Sequence, residues 1–213
     1  MSKNRTTDNQ FALDLESSGE LDKTVDMDKT PSTSPAEDTS LDLEQTETVL
    51  ALLDSWQMAG WIRPLDVRFA RLIQDLSQEQ GEAPQPLVLL LAALTSHQVG
   101  RGHVCVDLAT LLADADNTLS LPPEEPSGAL SAQFRGVLPG SLAEQENADG
   151  NLYSPGHVLA RVSTKKCMAA LDNALAVSDG SHTTPLVLSG TRLYLRRFWR
   201  YEQQIAAAIL QRL

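Results

Sequence analysis

The sequence predicts a mainly α-helical fold: a small helical bundle with a C-terminal β-hairpin and a terminal helix, preceded by a disordered acidic tail. Three observations carry this. Apolar residues recur at helical spacing between Glu44 and Val99. Two β-rich runs flank Gly190-Thr191 near the C-terminus. The first 43 residues are rich in Ser, Thr, Asp, Glu and Lys, with too few large apolar side chains to offset the entropy lost on ordering. The expected organisation is a tail over residues 1–43 and one domain over 44–213, with the hairpin at about 184–199.

Taken in order, the tail contains Phe11, Leu13 and Leu15 alternating with polar residues, readable as a short docking motif or as plain tail. Val49, Leu50, Leu53 and Trp56 then fall on one face of a helix between Glu44 and Gly60. Arg63-Pro64 begins a second helix whose stripe is Leu65, Phe69, Leu72, Ile73 and Leu76. Asp66 in its first turn reads as a partner for the helix dipole. Pro86 opens a third helix, Leu87 to about Val99, apolar nearly all round and therefore central to the core; Gly100 and Gly102 stop it. His103 to Val106 is a short buried piece, and Asp107 can cap a brief helix containing Leu108, Leu111 and Leu112. Residues 114–156 shift to Pro, Gly and acidic composition, with short helices expected near Ala129–Phe134 and Leu142–Glu146. Apolar character resumes at Val158–Val162, and Cys167–Leu175 reads as a helix.

The hairpin has a definite register. With Gly190-Thr191 as a two-residue loop, Leu188 faces Leu193 and Leu186 faces Leu195, while Val187 and Tyr194 share the opposite face. An isolated hairpin is marginal in water, and the helical composition of the last eleven residues makes them the nearest cover.

Charge is unevenly spread over the 213 residues, whose formal total is −11. Residues 1–48 hold twelve acidic and four basic side chains, whereas residues 161–213 hold three acidic and eight basic. Bulk charge therefore argues against general nucleic-acid binding, yet leaves room for a basic patch at the C-terminal end. Two cysteines, Cys105 and Cys167, make no disulfide framework. The polar N-terminus has no secretory pattern, and the longest apolar run, Leu87 to Leu94, is too short for a membrane span. The expectation is a soluble cytoplasmic protein with reduced thiols and no membrane association.

Catalytic signals are sparse. No GxxxxGK[ST] or GxGxxG phosphate loop occurs, so ATP binding by this chain has no sequence support. His97, His103, Cys105 and Cys167 suggest a metal set, but closely spaced ligand pairs are missing, and cysteine as a small buried hydrophobe accounts for both thiols. His157 and His182 sit in polar surroundings and are expected at the surface. The candidate functional residues are Arg192, Arg196, Arg197, Trp199 and Arg200, in a basic-aromatic run that also contains Phe198 and Tyr201. Arginine with Trp and Tyr suits a protein–protein hot spot; the same groups can hold phosphates and stack bases of single-stranded DNA.

Three segments together give the sequence a family likeness. They are Arg63-Pro64-Leu65-Asp66-Val67 with Phe69-Ala70; Ala92-Ala93-Leu94, Ser96-His97 and Gly102-His103-Val104-Cys105; and Thr184-Pro185 through Gly190, Arg192-Leu193-Tyr194-Leu195 and Trp199. In order and spacing they resemble the N-terminal region of RecD, the helicase subunit of the bacterial RecBCD complex, exodeoxyribonuclease V. The resemblance covers about residues 48–213 and leaves the acidic tail outside as a lineage-specific extension. It implies a parent subunit that is an ATP-dependent 5′–3′ DNA helicase of double-strand-break repair and recombination, assembled with RecB and RecC as a heterotrimer and reaching DNA through that complex. ATP and Mg belong to the helicase motifs expected downstream of this region, so no cofactor and no catalytic residue is assigned to this chain. For the region itself the resemblance implies docking to RecC; the alternative is a single-stranded DNA-binding accessory module using the basic-aromatic hairpin.

Overall fold

A computed structural model describes residues 41–83, 85–123 and 152–212. The tail over residues 1–40 and the expected short helices near Ala129–Phe134 and Leu142–Glu146 lie outside the described residues. Leu41 and Leu43 pack, partly buried, against the core, so packing begins just ahead of the expected boundary.

The core is built on three helices, α1 (Thr46–Met58), α2 (Pro64–Glu79) and α3 (Pro86–Gly100). As its composition requires, α3 is central: every residue from Leu87 to Gln98 is buried, and α1 and α2 both pack on it. From α1, Val49, Leu50, Leu53 and Trp56 are buried as the spacing predicts. The Trp56 indole donates from Nε1 to the Tyr153 carbonyl at 2.8 Å, which ties α1 to the chain beyond residue 151.

The stripe expected on α2 is buried only in part: Ile73 is in the core and Phe69 packs partly buried against it. Leu65 and Leu72 are exposed, at 63% and 47%, while Asp66, Val67, Ala70 and Ile73 face inward. The helix is rotated so that a carboxylate, not a leucine, enters the core; its partners are described below.

Beyond α3 the chain forms β1 (Cys105–Asp107), α4 (Leu108–Ala113) and α5 (Ala115–Leu119), then α6 (Pro155–Leu159) and α7 (Thr164–Asp172). Asp107 caps α4 as expected: its Oδ1 accepts from the amides of Ala109 at 3.0 Å and Thr110 at 3.3 Å. The last elements are β2 (Val177–Ser178), β3 (Leu186–Ser189), β4 (Arg192–Leu195) and α8 (Arg196–Leu210).

The four strands form one sheet in the order β1-β4-β3-β2, antiparallel except for the parallel β2–β3 pair. The hairpin register is the predicted one: Leu186 opposite Leu195, Val187 opposite Tyr194, Leu188 opposite Leu193. Gly190, at φ +60°, supplies the left-handed turn residue. Leu186, Leu188 and Leu193 join the main core, and α3 packs against β1 and β4. Val187 and Tyr194 are buried as well, on the face met by α8.

The hairpin ends at Leu195, earlier than the expected 199, because Pro185 lacks the N–H that would carry the ladder further. Only half of the next rung forms, from the Arg196 amide to the Pro185 carbonyl at 2.9 Å. The chain then turns helical at once, so the basic-aromatic run Arg196–Tyr201 lies on the first turns of α8. The strands β1 and β2 were not expected; at three and two residues they exist through pairing with β4 and β3.

Candidate functional site

The recognisable segments converge on a buried carboxylate. Asp66 is 0% exposed and is surrounded by donors. Its Oδ2 accepts from the Arg63 amide at 2.9 Å and from Arg63 Nε at 3.1 Å. Its Oδ1 accepts from Arg63 Nη2 at 2.6 Å and from Ser96 Oγ at 2.7 Å. Arg63 Nη2 also donates to the Ser96 carbonyl at 2.7 Å, so one guanidinium joins the start of α2 to the last turns of α3. The hydrogen bond to Asp66 holds the Arg63 pKa above its ordinary value against the opposing effect of burial. Glycine at position 100 is required by this head group, since a Cβ there would overlap the guanidinium.

His97 extends the network. Its Nε2 lies 3.2 Å from the Leu119 carbonyl, an acceptor, so that nitrogen carries the proton. Its Nδ1 is 3.9 Å from Asp66 Oδ2, too far for a hydrogen bond. Burial pushes the imidazole below its usual pKa, with the Leu119 carbonyl and then Asp66 opposing; the ring is neutral at pH 7. Gln98 Nε2 donates to the Thr118 carbonyl, which fixes the same short helix α5 against α3. The Asp66 carboxylate is enclosed and occupied by its own chain, while the His97 ring borders a hollow that Trp61, Arg101 and Asp116 also line. The arrangement positions helices α2, α3 and α5.

The thiols are equally inert. Cys167 is fully buried on α7 and burial raises its pKa to about 11. Cys105 sits opposite Tyr194 across the β1–β4 pair, and burial raises its pKa too. Neither is a thiolate nucleophile at neutral pH. His103, His157 and His182 are exposed. Among the described residues no three His, Cys, Asp or Glu side chains are grouped so as to hold a metal ion.

The basic-aromatic residues divide into two sets. Arg196 and Trp199 are used internally: the Arg196 guanidinium donates to the His182 carbonyl, and the Trp199 ring covers Gly180, where a Cβ would overlap it. Both contacts pin the first turns of α8 to the loop between β2 and β3. Glu202 adds a third attachment through the Tyr194 hydroxyl, whose pKa is pushed up to about 12, chiefly by burial. Arg192, Arg197 and Arg200 face solvent. The Arg197 guanidinium stands over the Phe198 ring, 4.7 Å from its centroid. Sequence reasoning named Tyr201, which is 51% exposed, but missed the apolar residues beyond it on α8: Ile205, Ile209 and Leu210 are 62%, 56% and 71% exposed. Their i, i+4 spacing was the available signal, read instead as cover for the hairpin.

Two outcomes follow from the Asp66 network. Replacing Asp66 with Ala should cost about 3 kcal/mol in urea unfolding, the low end for a buried pair, because water reaches the 45% exposed Arg63 side chain. The Asp54–Arg71 pair is equally short at 2.6 Å but 40% and 39% exposed, and Asp54→Ala should cost under about 1 kcal/mol. Equal losses would show that burial is irrelevant to the network. His97 gives a pH signature of defined sign. The unfolded imidazole takes a proton near pH 6.5, the folded one only at lower pH. Stability is therefore full above about pH 6.5 and falls with acidification, by at most about 1.4 kcal/mol per unit, until the folded ring titrates. Asp66 favours that protonation; Arg101 and Arg63 oppose it. His97→Gln, which keeps a donor for Leu119, should flatten this part of the profile.

The network explains why the three segments occur together. The first binds the second through Arg63, Asp66 and Ser96; the second pairs with the third through Cys105 and Tyr194. Residues 58–194, from the end of α1 to Tyr194, match the family described as RecBCD enzyme subunit RecD, N-terminal domain. No curated protein matches the chain. With well over half of its length matched, the chain belongs to the RecD N-terminal domain family of RecBCD enzyme subunits.

Proposed function

We propose that this domain is the assembly module of a RecD-type subunit and docks that subunit onto RecC, within a heterotrimer that also contains RecB. One observation carries the reading: Arg63 and Asp66 of the family segments bind each other and Ser96 within the scaffold, while α8 presents arginines and apolar side chains to solvent. Arg192, Arg197, Arg200 and Tyr201 are the residue types that dominate protein–protein hot spots. For the whole subunit the proposed activity is ATP-dependent 5′–3′ DNA unwinding in double-strand-break repair and recombination, in the cytoplasm. The phosphate loop that would hold ATP and Mg is absent from this sequence. Among the described residues no helix is long and apolar enough to cross a membrane.

A second reading rests on the same exposed groups: arginines beside a half-exposed Tyr201 could bind single-stranded DNA by phosphate contact and base stacking. Co-expression separates the two. A tagged full-length chain should retain RecC on affinity resin, and Arg197→Glu with Arg200→Glu should weaken retention by roughly tenfold or more. Arg196 is left unchanged because it holds the His182 loop. Absence of RecC, together with oligonucleotide binding that falls steeply with salt, would favour the DNA module instead.

A further inference from the structure

The hollow that His97 borders has a volume of about 700 Å³ and lies beside the last turn of α3. Its inner wall is formed by His97 and Leu121, both buried, and by the half-buried Trp61 ring, whose centroid is 6.4 Å from that of Trp56. Its rim is exposed and carries Arg101, Asn117 and Ser120. The volume falls in the range of small-ligand sites.

Three of these side chains have capacity to spare. With its Nε2 proton directed at the Leu119 carbonyl, His97 offers Nδ1 as a bare acceptor, 3.9 Å from Asp66 Oδ2 and without a hydrogen bond. The sealed, unpartnered side-chain atoms among the described residues are Gln98 Oε1 and Glu202 Oε2, so the Nδ1 lone pair is open to the hollow. Arg101 has no carboxylate partner among the described residues, yet stands close enough to His97 to oppose its protonation. The Asn117 side-chain amide is uncommitted as well. Asp116, by contrast, is engaged: Oδ1 accepts from the Gly156 amide at 2.6 Å and Oδ2 from the Ser154 hydroxyl at 3.0 Å.

This set of groups selects a ligand. An uncharged acceptor in the inner wall suits a neutral N–H; an ammonium would find the nearby carboxylate engaged and would face Arg101. A half-buried indole suits a flat ring, and an unpaired guanidinium at the rim suits a phosphate. We propose that the hollow binds a nucleotide unit: a base lying against Trp61, its exocyclic amino group on His97 Nδ1, and its phosphate on Arg101. Asn117 supplies an amide to the base edge, the pairing that asparagine makes with adenine. A free nucleoside monophosphate and the end of a single strand share this chemistry.

The test is calorimetric titration of the full chain with deoxyadenosine monophosphate, deoxyadenosine, thymidine monophosphate and a short 5′-phosphorylated oligo-dA. Binding of the adenine nucleotide should be saturable. It should weaken roughly tenfold on loss of the phosphate, on exchange for thymine, in Arg101→Glu and in Trp61→Leu. Arg101 is exposed, so Arg101→Glu should leave the melting curve unchanged and its lost affinity is not a lost fold. Similar affinity for mononucleotide and oligonucleotide supports the inference with the free nucleotide as ligand. Oligonucleotide binding at least tenfold tighter, and equally sensitive to Arg101→Glu, supports it with a strand end as ligand. No saturable binding, equal affinity for thymidine monophosphate, or affinity untouched by Arg101→Glu each overturns the inference. Oligonucleotide binding lost instead in Arg197→Glu with Arg200→Glu belongs to α8 and overturns it as well.

Discussion

The carboxylate of Asp66 is the constraint on which the rest of the domain depends. It lies in the core with no exposure and accepts four hydrogen bonds, three of them from Arg63. A buried charge left without such partners would be strongly destabilising, so the position of Asp66 dictates what surrounds it. α2 must turn its Asp66 face inward, Ser96 must stand opposite, and residue 100 must lack a side chain. α3 is thereby fixed relative to α2, and through His97 and Gln98 it fixes α5. The same helix supports β1 and β4, so the sheet inherits its placement from the network.

This frame separates two kinds of residue that look alike in sequence. Arg63, Arg196 and Trp199 carry groups suited to recognition, yet each is spent on its own chain: a carboxylate and a carbonyl for Arg63, the His182 carbonyl for Arg196, the Gly180 backbone for Trp199. Arg197, Arg200, Tyr201, Ile205 and Ile209 are exposed and carry no comparable burden, whereas Arg192 is exposed but lies 3.8 Å from Asp107. The scaffold thus holds the first turns of α8 against the loop between β2 and β3, while residues 203–212 are exposed.

Much of the fold was legible because much of it is local. α1 and α3 declare themselves by apolar spacing, α4 by its Asp107 cap, and the hairpin by a glycine turn that leaves one register. What could not be read depends on distant partners. An apolar pattern assigns Leu65 and Leu72 to the core of α2, since nothing in the pattern announces that a carboxylate will be paired by Arg63 and Ser96. β1 and β2 are too short to carry a signal and exist through strands some eighty and nine residues away in sequence. The end of β4 was legible in principle, since Pro185 forbids the next rung. Of the candidate surface, the arginines stood out in sequence, whereas the assignment of Arg196 and Trp199 to the domain's own loop required the placement of Gly180 and His182.

Hydrogen exchange of the full chain, alone and with RecC, tests the central claim most directly, because it reads the scaffold and α8 in one experiment. The account predicts slow exchange along α3 in both states and new protection on RecC binding confined to α8 and Arg192. Protection centred on α2 or the β1–α4 turn, with α8 unchanged, would contradict it.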